Sequence, residues 1–124
     1  MQTPEQVVRQ WVEYFNQADI DGLCSLYHRD AINHQVVTHP LVGREAIREL
    51  FHVEFARAKM VCDIEMLHEA GEWAILEWTD PIGLRGCGFF HVKNGLIVFQ
   101  RGYFDQQTFF ELQKIQQPEE SYLK

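Results

Sequence analysis

The sequence predicts a single α+β domain: two helices, a short strand and a third helix, followed by an antiparallel meander of strands. Two observations carry this. Apolar residues recur at helical spacing near the N-terminus and again around residues 44–58, then change to an alternating period from Cys62. Turn signals also punctuate the second half: Glu69-Ala70-Gly71-Glu72, Asp80-Pro81 with Gly83, and Asn94-Gly95. At 124 residues the chain is about one domain long. The domain is placed at residues 1–117, with a C-terminal tail at 118–124.

Each element has a local reason. Thr3-Pro4-Glu5-Gln6 is a helix start, with Thr3 as cap, Pro4 at the first helical position and Gln6 completing a capping box. Val7, Val8, Trp11, Val12 and Phe15 then turn one face inward to about residue 17. Asp19 caps a second short helix with Ile20, Leu23, Leu26 and Tyr27 on its apolar side. Ala31 to Val37 reads as a strand ending in a loop through His39-Pro40. Gly43-Arg44-Glu45-Ala46 opens the third helix, where Ile47, Leu50, Phe51, Phe55 and Ala58 share a face. In the next strand Cys62, Ile64 and Met66 alternate with Asp63 and Glu65. Strands at Trp73 to Thr79, Leu84 to Lys93 and Leu96 to Asp105 follow, the last two joined by Asn94-Gly95. A closing helix runs from Gln106 to Gln116 and stops before Pro118.

Composition excludes several classes. A net charge of −7 with scattered basic residues argues against nucleic acid and anionic membrane as partners. No run reaches the roughly 18 apolar residues of a membrane span, and the first residues lack the basic and apolar regions of a secretory signal, so a cytoplasmic location is expected. Cys24, Cys62 and Cys87 are widely spaced and read as reduced, structural thiols. Histidines lack any metal-ligand spacing, so no metal or cofactor is expected. Nine Phe, four Tyr and three Trp in so short a chain need a large core, a lined cavity or a subunit interface.

The element order, together with Gly43-Arg44-Glu45-Ala46-Ile47, Asn94-Gly95-Leu96-Ile97 and Gln100-Arg101-Gly102-Tyr103-Phe104-Asp105, resembles the nuclear transport factor 2 superfamily and, within it, the SnoaL-like proteins. The first stretch is similar to the start of that family's third helix, and the last to a closing strand often written W-R-D-Y-F-D. The resemblance implies a cone-shaped fold, in which a curved antiparallel sheet wraps the N-terminal helices around an apolar cavity. It also implies a homodimer formed through the outer sheet face. The superfamily includes isomerases, polyketide cyclases, epoxide hydrolases, dehydratases and non-catalytic binders.

Asp80 is the first candidate catalytic residue. It closes a strand on the face of Leu76 and Trp78 and matches a catalytic Asp of the similar limonene epoxide hydrolases. A carboxylate beside Trp in a dry cavity has its charged form disfavoured, which suits acid–base work. The alternative is that Asp80-Pro81 simply starts a turn. The hydrolase pattern itself is broken: its Arg and second Asp are replaced by Trp78 and Gly102, and the Trp before the closing motif is Gln100. Epoxide hydrolysis is therefore not expected.

Asn33, His34 and Gln35 lie where relatives place polar groups that hold water or act as base. Strand alternation sends either Asn33 and Gln35 or His34 into the cavity, and His34 would be the second catalytic candidate. Tyr14 sits where ketosteroid isomerase has its oxyanion-stabilising Tyr, although its place beside the Val7-Trp11 stripe also suits the core. Phe55, Trp78 and Phe90 are candidate ligand-contacting rings, and Gln100 a group to polarise a carbonyl. Gly86, Gly88 and Gly102 share the inner face, where missing side chains either leave room for a flat ligand or let the sheet bend. Arg101, Tyr103 and Asp105 read as an outer-face ion pair and packing ring.

The sequence therefore points to a pocket for a small, largely apolar molecule, with cofactor-free isomerase, cyclase or dehydratase chemistry as the enzymatic reading. A non-catalytic binding or dimerisation module is the alternative, and the residues leave open which of the two holds.

Overall fold

A computed structural model describes residues 1–113. The two N-terminal helices are α1 (Pro4–Asn16) and α2 (Ile20–Ser25). They lead into β1 (Tyr27–Gln35), the two-residue β2 (Leu41–Val42) and α3 (Arg44–Arg57). Strands β3 (Asp63–Ala70), β4 (Trp73–Thr79), β5 (Arg85–Lys93) and β6 (Leu96–Phe104) form the meander, and α4 begins at Gln106. The end of the closing helix and the domain boundary at residue 117 lie outside the described residues. Among the described residues no helix is long and apolar enough to cross a membrane.

The helix starts form as their caps dictate. Thr3 Oγ1 accepts from the Gln6 amide at 3.2 Å while Gln6 Oε1 accepts from the Thr3 amide at 2.9 Å, so two orphan donors are satisfied reciprocally. Asp19 accepts from the Gly22 amide at 2.9 Å and holds the start of α2. The Asn94-Gly95 turn takes φ of 52° and 78°, the left-handed pair a two-residue hairpin needs. Asp105 caps α4, accepting from the Gln107 amide at 3.1 Å and from the Thr108 hydroxyl. That role takes it away from Arg101, whose guanidinium lies over the Phe99 ring at 4.9 Å and, among the described residues, does not form the expected ion pair.

The six strands make one curved, unclosed sheet in the order β2-β1-β6-β5-β4-β3. β3 to β6 are the antiparallel meander. The first strand departs from the expectation of a wholly antiparallel sheet, because β1 pairs with β6 in parallel. The chain crosses from β1 through α3 to the far edge, and three hairpins bring β6 back beside β1 running the same way. β1 also begins earlier than alternation suggests, at Tyr27, which is fully buried and pairs with Ile97. The exposed His28-Arg29-Asp30 stretch and a register shift between Tyr27 and Ile32 hide that start from a periodicity reading.

A second irregularity corrects the reading of β3. The register shifts between Ile64 and Met66, so Glu65 is the extra residue. Parity then inverts: Met66 faces solvent at 47% exposure, while Leu67 joins Ile64 against the core.

Helix α1 packs against β3, β4 and β5, and α3 against β1. Val7, Val8, Leu23, Tyr27, Ile47, Ala74 and Ile97 are fully buried between these layers. Above them lies an aromatic layer in which Trp11 stacks on Phe15 at 4.9 Å and meets Phe90 edge-on at 5.4 Å.

Candidate functional site

The cavity opens where the helices and the sheet diverge, and it encloses about 110 Å³. That is somewhat smaller than the ~150 Å³ apolar cavity known to admit benzene, so one ring or a branched head group fits. Trp11 and Phe15 from α1, Phe51 from α3, and Leu76, Trp78 and Phe90 from the sheet form its walls, with Phe109 of α4 at the rim.

Its inner end is polar. Asn33 on β1 stands in register with Gln100 on β6, and both are buried. Gln100 Oε1 accepts from the Tyr27 hydroxyl, which itself accepts from Trp11 Nε1 at 2.9 Å. Burial pushes the Tyr27 phenol far above the usual tyrosine range, so this hydroxyl stays a donor. The chain Trp11–Tyr27–Gln100 therefore occupies the Gln100 carbonyl and leaves its N–H groups as the donors on the cavity wall. Gln35 donates to Asn33 Oδ1 at 2.8 Å, placing a second amide pair beside the first.

The alternatives on β1 are resolved by this register. Asn33 and Gln35 line the cavity, whereas His34 pairs with Arg101 along the strands and is not on the wall. Tyr14 is not on the wall either; its ring lies over Gly22 where α1 meets α2, so close that a Cβ there would stand 2.5 Å from it. Phe55 sits one layer behind, stacked on Phe51 at 5.8 Å and edge-on to Phe15 at 5.3 Å. Trp78, Phe90, Gln100 and Asp80 do line the cavity.

Asp80 performs the turn role foreseen as its alternative. Its Oδ1 accepts from the Ile82 and Leu84 amides, each at 3.0 Å, and so closes the β4–β5 connection. Oδ2 has no hydrogen bond among the described residues. Of the glycines on the inner face, Gly88 lines the cavity with nothing closer than 3.3 Å to a Cβ there, whereas Gly86 and Gly102 do not open ligand space. A Cβ at Gly86 would stand 2.5 Å from the Trp78 indole, and one at Gly102 would stand 2.2 Å from Gln35 Oε1. Those side chains already fill the gaps, so the missing side chains serve intramolecular packing.

Sequence reasoning missed Glu54. This residue of α3 lines the cavity, and its carboxylate has no hydrogen bond or ion pair among the described residues. Burial drives its pKa up to about 7, with Arg57 offsetting part of the effect. A signal was present: Glu54 interrupts the apolar stripe Ile47, Leu50, Phe51, Phe55 and Ala58, at helical spacing from Phe51 and Ala58. Among the described residues no cluster of His, Cys, Asp or Glu could hold a metal ion. Cys24, Cys62 and Cys87 are free thiols, and burial pushes Cys62 up to about 12.

A curved, unclosed sheet over N-terminal helices, with a cavity between them, defines the nuclear transport factor 2-like class. The family model for the SnoaL-like domain matches residues 8–100, and the chain belongs to that family. No curated protein matches the sequence. Solved structures share the fold at low identity. A protein of ketosteroid isomerase-like fold from Catenulispora acidiphila, in complex with trimethylamine, superposes with a TM-score of 0.80 at 16% identity, covering 93% of this chain and 96% of that one. A putative polyketide cyclase from Pseudomonas putida gives 0.79 at 18% identity, with 90% and 98% covered. An LEH-like epoxide hydrolase from M. tuberculosis gives 0.75 at 20% identity, with 90% and 89% covered.

Proposed function

We propose that the chain binds a small, largely apolar molecule bearing an acceptor oxygen, and that it carries out cofactor-free acid–base chemistry of the isomerase, cyclase or dehydratase kind. The observation that supports this most is the Gln100 amide, aimed by the Trp11–Tyr27 chain at the polar end of an aromatic-walled cavity. A carbonyl or hydroxyl of the ligand accepts from Gln100 and the Asn33–Gln35 pair, while Trp78 and Phe90 contact its apolar body. Asp80, with Oδ2 free of the turn, is the proton-transferring group of this reading. At 16% identity the trimethylamine of the Catenulispora protein speaks for that protein, and the ligand here is argued from this chain's own wall.

A fragment screen read by ligand-observed NMR tests the pocket. Single-ring ketones and phenols should bind, and Gln100→Leu should weaken them about tenfold, the worth of one good hydrogen bond. Unchanged binding in Gln100→Leu would remove the amide from its role. Once a turnover is found, Asp80→Asn should abolish it with folding intact.

A specific observation favours a non-catalytic second reading: Asp80 Oδ1 is committed to the β4–β5 turn. Under it, Asp80→Asn leaves ligand affinity unchanged and no turnover exists to lose. For assembly, we infer a homodimer across the outer sheet face. There Trp73 stacks on His91 at 4.5 Å, Phe89 meets Tyr103 at 6.1 Å, and Trp73 and Tyr103 remain 36% and 41% exposed. Light scattering at twice the chain mass supports this, and the monomer mass removes it.

A further inference from the structure

We propose that the cavity selects a small organic cation, an ammonium head of about trimethylammonium size, with the Glu54 carboxylate as its counter-charge. This deepens the reading above and rests on it, since it names the charge of the molecule that the cavity holds.

The wall carries the argument. Among the described residues lining the cavity there are two carboxylates, Glu54 and Asp80, and no Lys, Arg or His. The remaining surface is dominated by π faces, among them Trp11, Phe15, Phe51, Trp78 and Phe90. Aromatic faces attract cations through their quadrupole, most strongly where water is excluded, and a methylated ammonium presents apolar methyls to those same rings. An anion would meet the carboxylates and, among the described lining residues, no compensating cation, while beside a neutral ligand Glu54 would be neutralised by a proton and only a cation would hold it ionised. A volume of about 110 Å³ suits such a head group and excludes a polycyclic one.

The environment of Glu54 fits a site awaiting a positive partner. Its carboxylate is unpaired among the described residues, and burial holds its pKa near 7. The groups facing it do not supply the missing charge. Arg57, on the same helix, lies over the Phe110 ring at 5.5 Å and lowers the Glu54 pKa only in part. From β1, Tyr27 stays a neutral phenol. From the segment before β3, Cys62 stays a thiol. Asp80 and Cys87, from the turn and strand opposite, bring no positive charge. A bound cation would stabilise ionised Glu54, so cation binding strengthens as pH rises through about 7 and releases a proton near neutrality.

Choline and its uncharged isostere 3,3-dimethylbutan-1-ol separate the possibilities, because they share shape and differ in charge. Calorimetric titration of the full chain at about pH 8 should give choline at least an approximately tenfold advantage over the isostere. The advantage should shrink at about pH 5.5, where Glu54 is protonated. In Glu54→Gln choline should lose its preference, while the isostere still binds. Isostere binding equal to or tighter than choline at about pH 8 overturns the cation proposal and leaves the pocket reading standing. A choline preference that persists unchanged in Glu54→Gln overturns Glu54 as counter-charge. If neither molecule binds, the cation proposal falls, and the fragment screen with Gln100→Leu judges the pocket separately. Should Glu54→Gln fail to fold, the pH dependence and the isostere comparison in the native chain still decide.

Discussion

Two carboxylates border one cavity, and the elements that carry them determine what each can do. Asp80 sits in the connection between β4 and β5, where two backbone amides point at its Oδ1 and hold it. Glu54 sits in the last turn of α3, where the nearby amides are already bonded within the helix, so the side chain finds no backbone donor and faces the aromatic wall. A turn offers free N–H groups to a carboxylate, and a helix interior does not. The same functional group thus becomes a structural clasp in one place and, among the described residues, an unpaired, half-buried acid in the other.

The largest effect expected from this contrast is in the pH dependence of stability. Glu54 has an ordinary carboxylate pKa unfolded and one of about 7 folded. Below the unfolded value both states are protonated and stability is full; between the two values the folded chain holds a proton that the unfolded chain has lost, so stability falls as pH rises, levelling off above about 7. At ~1.36 kcal/mol per pH unit the loss is at most about 3 kcal/mol. Denaturation at pH 5 and pH 8 should show it, and Glu54→Gln should flatten it; a slope unchanged in that variant would assign the effect to another group.

Next comes the inner end of the cavity, where the polar groups are paired as Asp80 is and buried more deeply. Tyr27→Phe strands the Trp11 N–H and the Gln100 carbonyl together, at a cost of about 2 kcal/mol. Chemical denaturation measures that cost, and a loss below about 0.5 kcal/mol would mean that water replaces the hydroxyl.

Asp80→Ala should cost less, about 1 kcal/mol, because the Ile82 amide lies at an exposed turn and can turn to water. Asp80→Asn keeps an acceptor at the same place and should be nearly neutral. Equal losses in the two variants would show that charge, and not the two hydrogen bonds, holds the turn.

The smallest effect is expected at Gly102, where an added Cβ meets only the end of the flexible Gln35 side chain. Gly102→Ala should alter stability by less than about 1 kcal/mol while displacing Gln35 from the wall. Ligand binding should change more than melting temperature does; the reverse result would place the strain in the β6 backbone.

Local signals made much of this legible. The capping box at Thr3, the Asp19 cap and the Asn94-Gly95 turn are interactions between residues at most four apart, so they can be read one segment at a time. Asp80 was legible as a site candidate and as a turn residue, and the turn hydrogen bonds are now visible. The bulge in β3 was not legible, because one extra residue inverts side-chain parity without altering composition. Glu54 was visible as an acidic break in an apolar stripe, yet on a helix face such a break also suits the solvent edge.

By itself the sequence determined the order and kind of every element but the two-residue β2, which it read as loop, together with the α+β class and the family resemblance, since periodicity, caps and turns act over a few residues. Tertiary structure alone decided the parallel pairing of β1 with β6, and with it the placing of Asn33 beside Gln100, in preference to His34, on the cavity wall. It alone decided that Glu54 faces that wall. Both depend on which distant segments meet, and contacts between segments tens of residues apart leave no periodic trace in either one.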